Sequence, residues 1–198
     1  MAFVGGALGE VRREVNSLEQ LAQHHEKLYE ADISNIALSR SRGFRRHLQN
    51  LLGTITDYGF AGAILYFPHF EDKKLHFYEG VGAKLKSVEL QESGIQLSYH
   101  LPADDEGPFA SHVFWSNTEL IENADTSSHF DKELRDHVGV SGTAVGIPLR
   151  LFARCFGVLI CWGPHEDINQ DLIKSAKMHA SLIAAALVPW SQLPSHQI

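Results

Sequence analysis

The close of the chain limits its fold more than any other stretch. Residues 141–162, SGTAVGIPLRLFARCFGVLICW, form two apolar runs of strand length joined by a short basic turn around Arg150 and Arg154. Both runs are apolar at consecutive positions. That marks central strands covered on both faces, by helices or by a ligand pocket. A helical pattern follows at once, capped by Asp167 or Asn169 and running to Val188, with Pro189 as its stop. Leu172, Ala176, His179, Ile183, Ala186 and Leu187 make one stripe of it. Ala180, Leu182 and Ala184 leave most of the remaining surface small or apolar, which suggests close packing on a second helix.

Upstream, residues 10–38 carry Val11, Val15, Leu18, Leu21, Ala22, Leu28, Ile33, Ile36 and Ala37 largely at three- and four-residue intervals, with charges between them. Such an amphipathic arm has little core of its own, so it either folds onto its own domain or forms a dimer coiled coil. Gly43 interrupts the pattern, and a second helix is predicted over 44–58 with Phe44, Leu48, Leu51, Leu52 and Ile55 on one face and Gly59 closing it. The period then changes to that of strands. Residues 61–67 are continuously apolar, 68–73 read as a turn, and 74–79 alternate, so the pair is a β-hairpin ended by Gly80 and Gly82. Residues 95–101 alternate again. Pro108 suits the first turn of a helix reaching Trp115, Asn117 marks a turn, 119–121 are a short edge strand, 123–128 a loop, and 129–137 a short helix ending at Gly139. The order predicts an α+β fold: a mostly antiparallel sheet of about five to six strands flanked by helices, with a long N-terminal helical extension. The expected division is an arm at 1–43, a domain at 44–189 and a tail at 190–198.

Composition narrows the chemistry. With 198 residues, 44% hydrophobic, the chain is long enough for one sizeable core. A formal charge of −7 argues against nucleic acid as a partner, despite the local run Arg40, Arg42, Arg45 and Arg46. No apolar run reaches the ~20 residues a bilayer demands, and no signal peptide is recognisable, so a cytoplasmic setting without a membrane partner is expected. Cys155 and Cys161 lie on one predicted strand roughly 20 Å apart, too far for a disulfide.

With these elements placed, the chain resembles the GAF family of small-molecule sensing domains. The resemblance rests on AGAILYF after a helix, the return LHFYEGVG, the segment LPADDEGPFASHVFWSNTELIENADT, and the close VGVSGTAVGIPLRLFARCFGVLICW, with Gly139, Gly142, Pro148-Leu149 and Gly157-Val158-Leu159 at the family's pattern positions. It implies a sensory or regulatory module, not an enzyme, that binds a small molecule of unknown identity between the sheet and the segment after the third strand. It also implies a homodimer through the terminal helices. A pocket in that place would draw on Tyr66, Phe77, Tyr99, Phe109, His112, Val113, Trp115 and Thr143; alternatively these aromatics fill the core and the module only dimerises or docks a partner.

Other chemistries fit less well. Free methionine sulfoxide reductases share the fold but use loop cysteines, whereas Cys155 and Cys161 fall inside a strand. Neither is followed by a His, as bilin attachment would favour. The cyclic-nucleotide signature is broken, because Asp125 and Thr126 stand where a lysine belongs and no Asp-Glu pair follows. Twelve histidines include no metal-ligand spacing, and His100, His112 and His137 are the haem-ligand candidates on position alone.

Overall fold

A computed structural model of the protein describes residues 42–69, 73–82, 98–100, 107–130, 132, 134–151 and 154–191. Residues 1–41 of the expected arm, 192–198 of the tail, the start of the predicted third strand and the acidic residues 104–106 lie outside these residues, whereas Gly43, expected to interrupt the helical pattern, falls inside the first described helix.

The chain opens with helix α1 (Arg42–Asp57), then strands β1 (Gly62–His69), β2 (Lys74–Gly82) and β3 (Ser98–His100). Helix α2 (Phe109–Ser116), strand β4 (Leu120–Asn123), a π-helical turn (Leu134–Val138), strands β5 (Thr143–Leu151) and β6 (Arg154–Gly163), and helix α3 (Gln170–Ser191) complete it. The strands form one six-stranded sheet in the order β3-β2-β1-β6-β5-β4, and every neighbouring pair is antiparallel. The hairpin β5–β6 lies mid-sheet as its apolar composition requires, with every residue of β6 after Arg154 buried.

Each face of the sheet has its own core. On the helical face, Leu48, Leu52 and Ile55 of α1 and Leu172, Ile173, Ala176, Ile183 and Leu187 of α3 meet Leu65, Phe67, Val145, Leu149 and Leu159. On the opposite face, Phe109, Val113 and Phe114 of α2, with Phe130, Leu134 and Val138, meet Ile64, Tyr66, Leu75, Val158, Ile160 and Trp162. Two bulges decide which side chains go where. Leu149 pairs with Gly157 and Arg150 with Cys155, so Phe156 is an extra residue that reverses the alternation and sends Cys155 and Cys161 to opposite faces. Likewise Leu65 pairs with Glu79 and Tyr66 with Phe77, leaving Tyr78 as the extra residue of β2.

The structure corrects several boundaries. Pro68 and His69 continue β1 instead of opening a turn; β1 pairs with β6 only as far as Tyr66–Val158, so no β6 partner awaits an N–H from Pro68. Gly80 and Gly82 extend β2, and Gly82 pairs with Gly62. The indole of Trp162 lies on Gly62 so closely that a Cβ there would come within 2.6 Å of its Cη2, which explains glycine in a strand. The short helix near 129–137 is a π-helical turn at Leu134–Val138, and α3 runs through Pro189 to Ser191, the proline falling in its last turn. Asn169, of the two proposed caps, accepts from the Asp171 and Leu172 amides at 3.1 and 3.0 Å.

Candidate functional site

The α2 face is where the sequence places a pocket. α2 starts after Pro108, ends at Asn117 in the left-handed conformation, and packs on β5 and β6. It approaches the sheet at Gly146, where a Cβ would stand 2.8 Å from Cε1 of Phe109. The Phe109 ring also meets that of Phe130 at a tilt of 32° with centroids 4.6 Å apart, and Phe130 belongs to the loop that crosses this face.

A web of hydrogen bonds organises that loop. Asp125 Oδ2 accepts from the Gly142 amide at 3.0 Å, and Asn123 Oδ1 accepts from the Asp125 amide at 2.9 Å. The Arg135 guanidinium donates to the carbonyls of Asp125, Ser127 and Phe130, tying the π-helical turn to the loop. At the rim, the β4 residue Glu122 accepts from Ser127 Oγ at 2.6 Å and from His129 Nδ1 at 2.9 and 3.0 Å. A carboxylate only accepts, so Nδ1 is the ring nitrogen that carries a proton in this contact. The His112 ring of α2 lies 5.5 Å from that of His129. Thus His112, Glu122, Ser127 and His129 form a polar group beside an aromatic interior.

Of the residues named from the sequence, the structure brings together Tyr66, Phe77, Phe109, Val113 and His112. Tyr66, Phe109 and Val113 are fully buried in the core of this face, and Phe77, partly buried, meets Tyr66 edge-on with centroids 6.3 Å apart. Tyr99 stands in register with Leu75 on β3. Trp115 is 44% exposed and meets Phe114 edge to face. Thr143 is not brought to the others: it opens β5 two residues before Val145 of the helical core, and its hydroxyl contacts His165. Glu122, Ser127 and His129 were not singled out from the sequence. Their only signal was the polar loop 123–128, which turn chemistry already explained.

The candidates for other chemistry are placed as follows. His137 is exposed on the π-helical turn. Among the described residues, no group of three or more His, Cys, Asp or Glu side chains is arranged to hold a metal ion. Cys155 and Cys161 are buried and form no disulfide. Burial pushes the Cys155 thiol up to about 12, against smaller lowering effects from its Gly157 hydrogen bond and from Arg150. Burial also raises the Cys161 thiol. Neither is a ready nucleophile near neutral pH, since the thiolate is the reactive form.

The helical face has openings of its own. A groove of about 690 Å³ runs between α3 and the β4–β5 edge, with Glu119, Ile147, Lys177, Ser181, Ala184 and Ala185 in its lining. A cleft of about 520 Å³ lies between Tyr58 at the end of α1 and Asp171 at the start of α3. Among the described residues, no helix is long and apolar enough to cross a membrane.

No family model matches the sequence, and a search of curated proteins returns no match. Solved structures do match. The chain is similar to a GAF domain/HD domain protein from Geobacter sulfurreducens at 9% identity and a TM-score of 0.59, over 81% of this chain and 99% of that one. It is similar to the GAF domain of an Acinetobacter phosphoenolpyruvate-protein phosphotransferase at 13% identity and 0.58, over 87% and 98%. It is also similar to a type II free methionine-R-sulfoxide reductase from Thermoplasma acidophilum at 13% and 0.55, over 74% and 94%. Identities this low speak to architecture alone, and with the sheet order and the two-faced core they show that this chain has a GAF-like fold.

Proposed function

We propose that the protein is a sensory or regulatory module that binds a small molecule on the α2 face and signals through its flanking helices in a homodimer. The observation that carries this reading is the difference between the two covers of the sheet. Two long helices, one leading into the sheet and one leaving it, close the helical face; a two-turn helix and a hydrogen-bonded loop close the other, with His112, Glu122 and His129 at its rim. A ligand that displaced α2 or the loop would act on Val158 and Ile160, whose strand neighbour Leu159 touches the helical core. To signal, it must bind two arrangements unequally. Met178 and Leu182, 54% and 48% exposed on the outer side of α3, supply the apolar surface for a second copy. Most of the similar structures are GAF domains of signalling proteins, which supports a regulatory role without catalysis. The sulfoxide reductases of this fold leave a thiol enzyme as the remaining catalytic reading, and it would require one of two buried cysteines. Two cysteines outside any disulfide suit a reducing cytoplasm.

A second reading has its own support. Tyr66, Phe109 and Val113 already fill the α2 face, as they would in a module that only dimerises or docks a partner. Thermal-shift titration against metabolite classes, with native mass measurement of the purified protein, separates the two. A ligand at a hundred times its dissociation constant adds about 2.7 kcal/mol of stability. A dimer that persists with no added mass and no response to any class would overturn the sensor and leave the docking module.

A further inference from the structure

Two imidazoles meet where α2 and the loop after β4 are joined. His129 is fixed at three points: its amide donates to Ser127 Oγ at 3.1 Å, its carbonyl accepts from the Phe109 amide at 3.1 Å, and its Nδ1 lies on the Glu122 carboxylate at 2.9 and 3.0 Å. Because Phe109 opens α2, the second of these bonds holds the loop against the first turn of that helix. His112 follows Phe109 by three residues and so rises from the same side of the helix. Its ring centroid comes 5.5 Å from that of His129. Among the described residues, no hydrogen bond engages either nitrogen of the His112 ring. The separation is that of two ligands on one ion. With about 2.0–2.1 Å from ion to nitrogen and about 1.2 Å from nitrogen to ring centre, two imidazoles at a tetrahedral to trigonal angle put their centres about 5.2–5.6 Å apart.

We propose that His112 and His129 form a site for a divalent transition-metal ion of the zinc, nickel or copper class, with Glu122 orienting His129 from behind. The donors select the class of ion: imidazole nitrogen suits Zn²⁺, Ni²⁺ and Cu²⁺, whereas Mg²⁺ and Ca²⁺ take oxygen ligands. Glu122 is the carboxylate partner that a metal-bound histidine ordinarily has, since a proton fixed on Nδ1 leaves Nε2 to the ion. Any proton held on Nε2, or on the ligating nitrogen of His112, passes to water as the ion binds. Two protein ligands are one fewer than a catalytic zinc site uses, so water or an anionic donor completes the shell. The remaining positions are reachable, because the His129 side chain is 38% exposed. Bound there, the ion ties α2 to the loop and makes metal content a control on the opening of this side of the sheet. The site does not rest on the small-molecule reading: it uses side chains at the rim, not the interior filled by Tyr66, Phe109 and Val113.

Amide exchange of the full-length chain, stripped with a chelator and titrated with Zn²⁺ alone, tests the site. At a hundred times its dissociation constant the ion slows exchange about a hundredfold at those amides of α2 and residues 123–130 whose opening separates the two histidines. His112→Asn and His129→Asn each abolish the effect, and Glu122→Gln raises the Zn²⁺ concentration it needs about tenfold or more. Mg²⁺ does nothing. His69 and His76, the other close pair of imidazoles among the described residues with ring centroids 5.1 Å apart, serve as the control: replacing both with glutamine leaves the effect intact. No Zn²⁺-dependent slowing in these segments overturns the proposal. Slowing that survives His112→Asn with His129→Asn also overturns it and assigns the ion to other histidines. Paramagnetic Cu²⁺ on the unsubstituted chain repeats the test should a variant loosen α2 by itself. Broadening of amide signals centred on residues 112 and 129 supports the site, and broadening centred elsewhere overturns it. A chain that ignores zinc leaves the metabolite titration free to decide the sensor.

Discussion

Glu79 has no exposed surface, and its carboxylate sits 3.4 Å from Nε of Arg45, whose side chain is 38% exposed. Oε1 accepts from the Gly80 amide at 3.1 Å, while Oε2 has no hydrogen-bond donor and relies on the arginine. Removing the cation alone therefore costs more than removing both charges. Arg45→Met is expected to lose about 1–3 kcal/mol, and Arg45→Met with Glu79→Leu to recover most of it, read by urea denaturation. The sequence showed neither partner. Strict alternation in KLHFYE puts Leu75, Phe77 and Glu79 on one side, and the bulge at Tyr78 moves Glu79 to the other, beneath α1. Thr143 was misplaced for a related reason: in strands apolar on both sides, residue type does not say which face is which. The cysteines carry a pH prediction. Cys155 is held at about 12 in the folded chain against 9.0 when unfolded, and Cys161 is raised as well. The folded state thus keeps protons that the unfolded state gives up above pH 9. Stability from this source is whole below pH 9 and falls above it by about 1.4 kcal/mol per pH unit for each thiol. Denaturation from about pH 8 to pH 11 should show that slope in the native chain and a shallower one in Cys155→Ala with Cys161→Ala.

Between elements, the tightest constraint is the seat of α2 on β5. Gly146→Ala places a methyl against Phe109 and Val113, both without exposed surface. Overpacking of this kind costs about 1–3 kcal/mol. Amide exchange should rise in α2 and the loop it holds while α1 and α3 keep their protection; a uniform loss across the molecule would show that α2 is not a separable cover. Most elements could be read from residues alone, because periodicity and caps are local. The hairpin of β5 and β6, the helix after Asn169 and the helix after Pro108 all follow from such signals. The exceptions are places where a partner overrides the local preference. Gly80 and Gly82 stay in β2 because Gly62 and the Trp162 ring lie against the end of that strand, and Pro68 stays in β1 because the neighbouring strand has already left.

At the scale of the molecule, the central pair β1 and β6 joins segments almost a hundred residues apart, and no local pattern announces it. Apolar runs supplied the strands; which strand lies beside which is visible only in the folded sheet. Since β6 feeds both cores, the two faces cannot melt separately. Leu159→Ala and Ile160→Ala, adjacent residues with no exposed surface on opposite sides, should each cost about 2–5 kcal/mol and each shift one common transition. Two transitions in either variant would mean that the faces are independent units. The same arrangement gives the protein a built-in optical gauge. The Trp162 indole, 2% exposed, is embedded in the α2 side, whereas Trp115 is open to the surroundings. In a Trp190→Phe chain, which leaves these two emitters, iodide would quench Trp115 and spare Trp162, so a colour change in the unquenched light would report on the interior of that side without any attached dye.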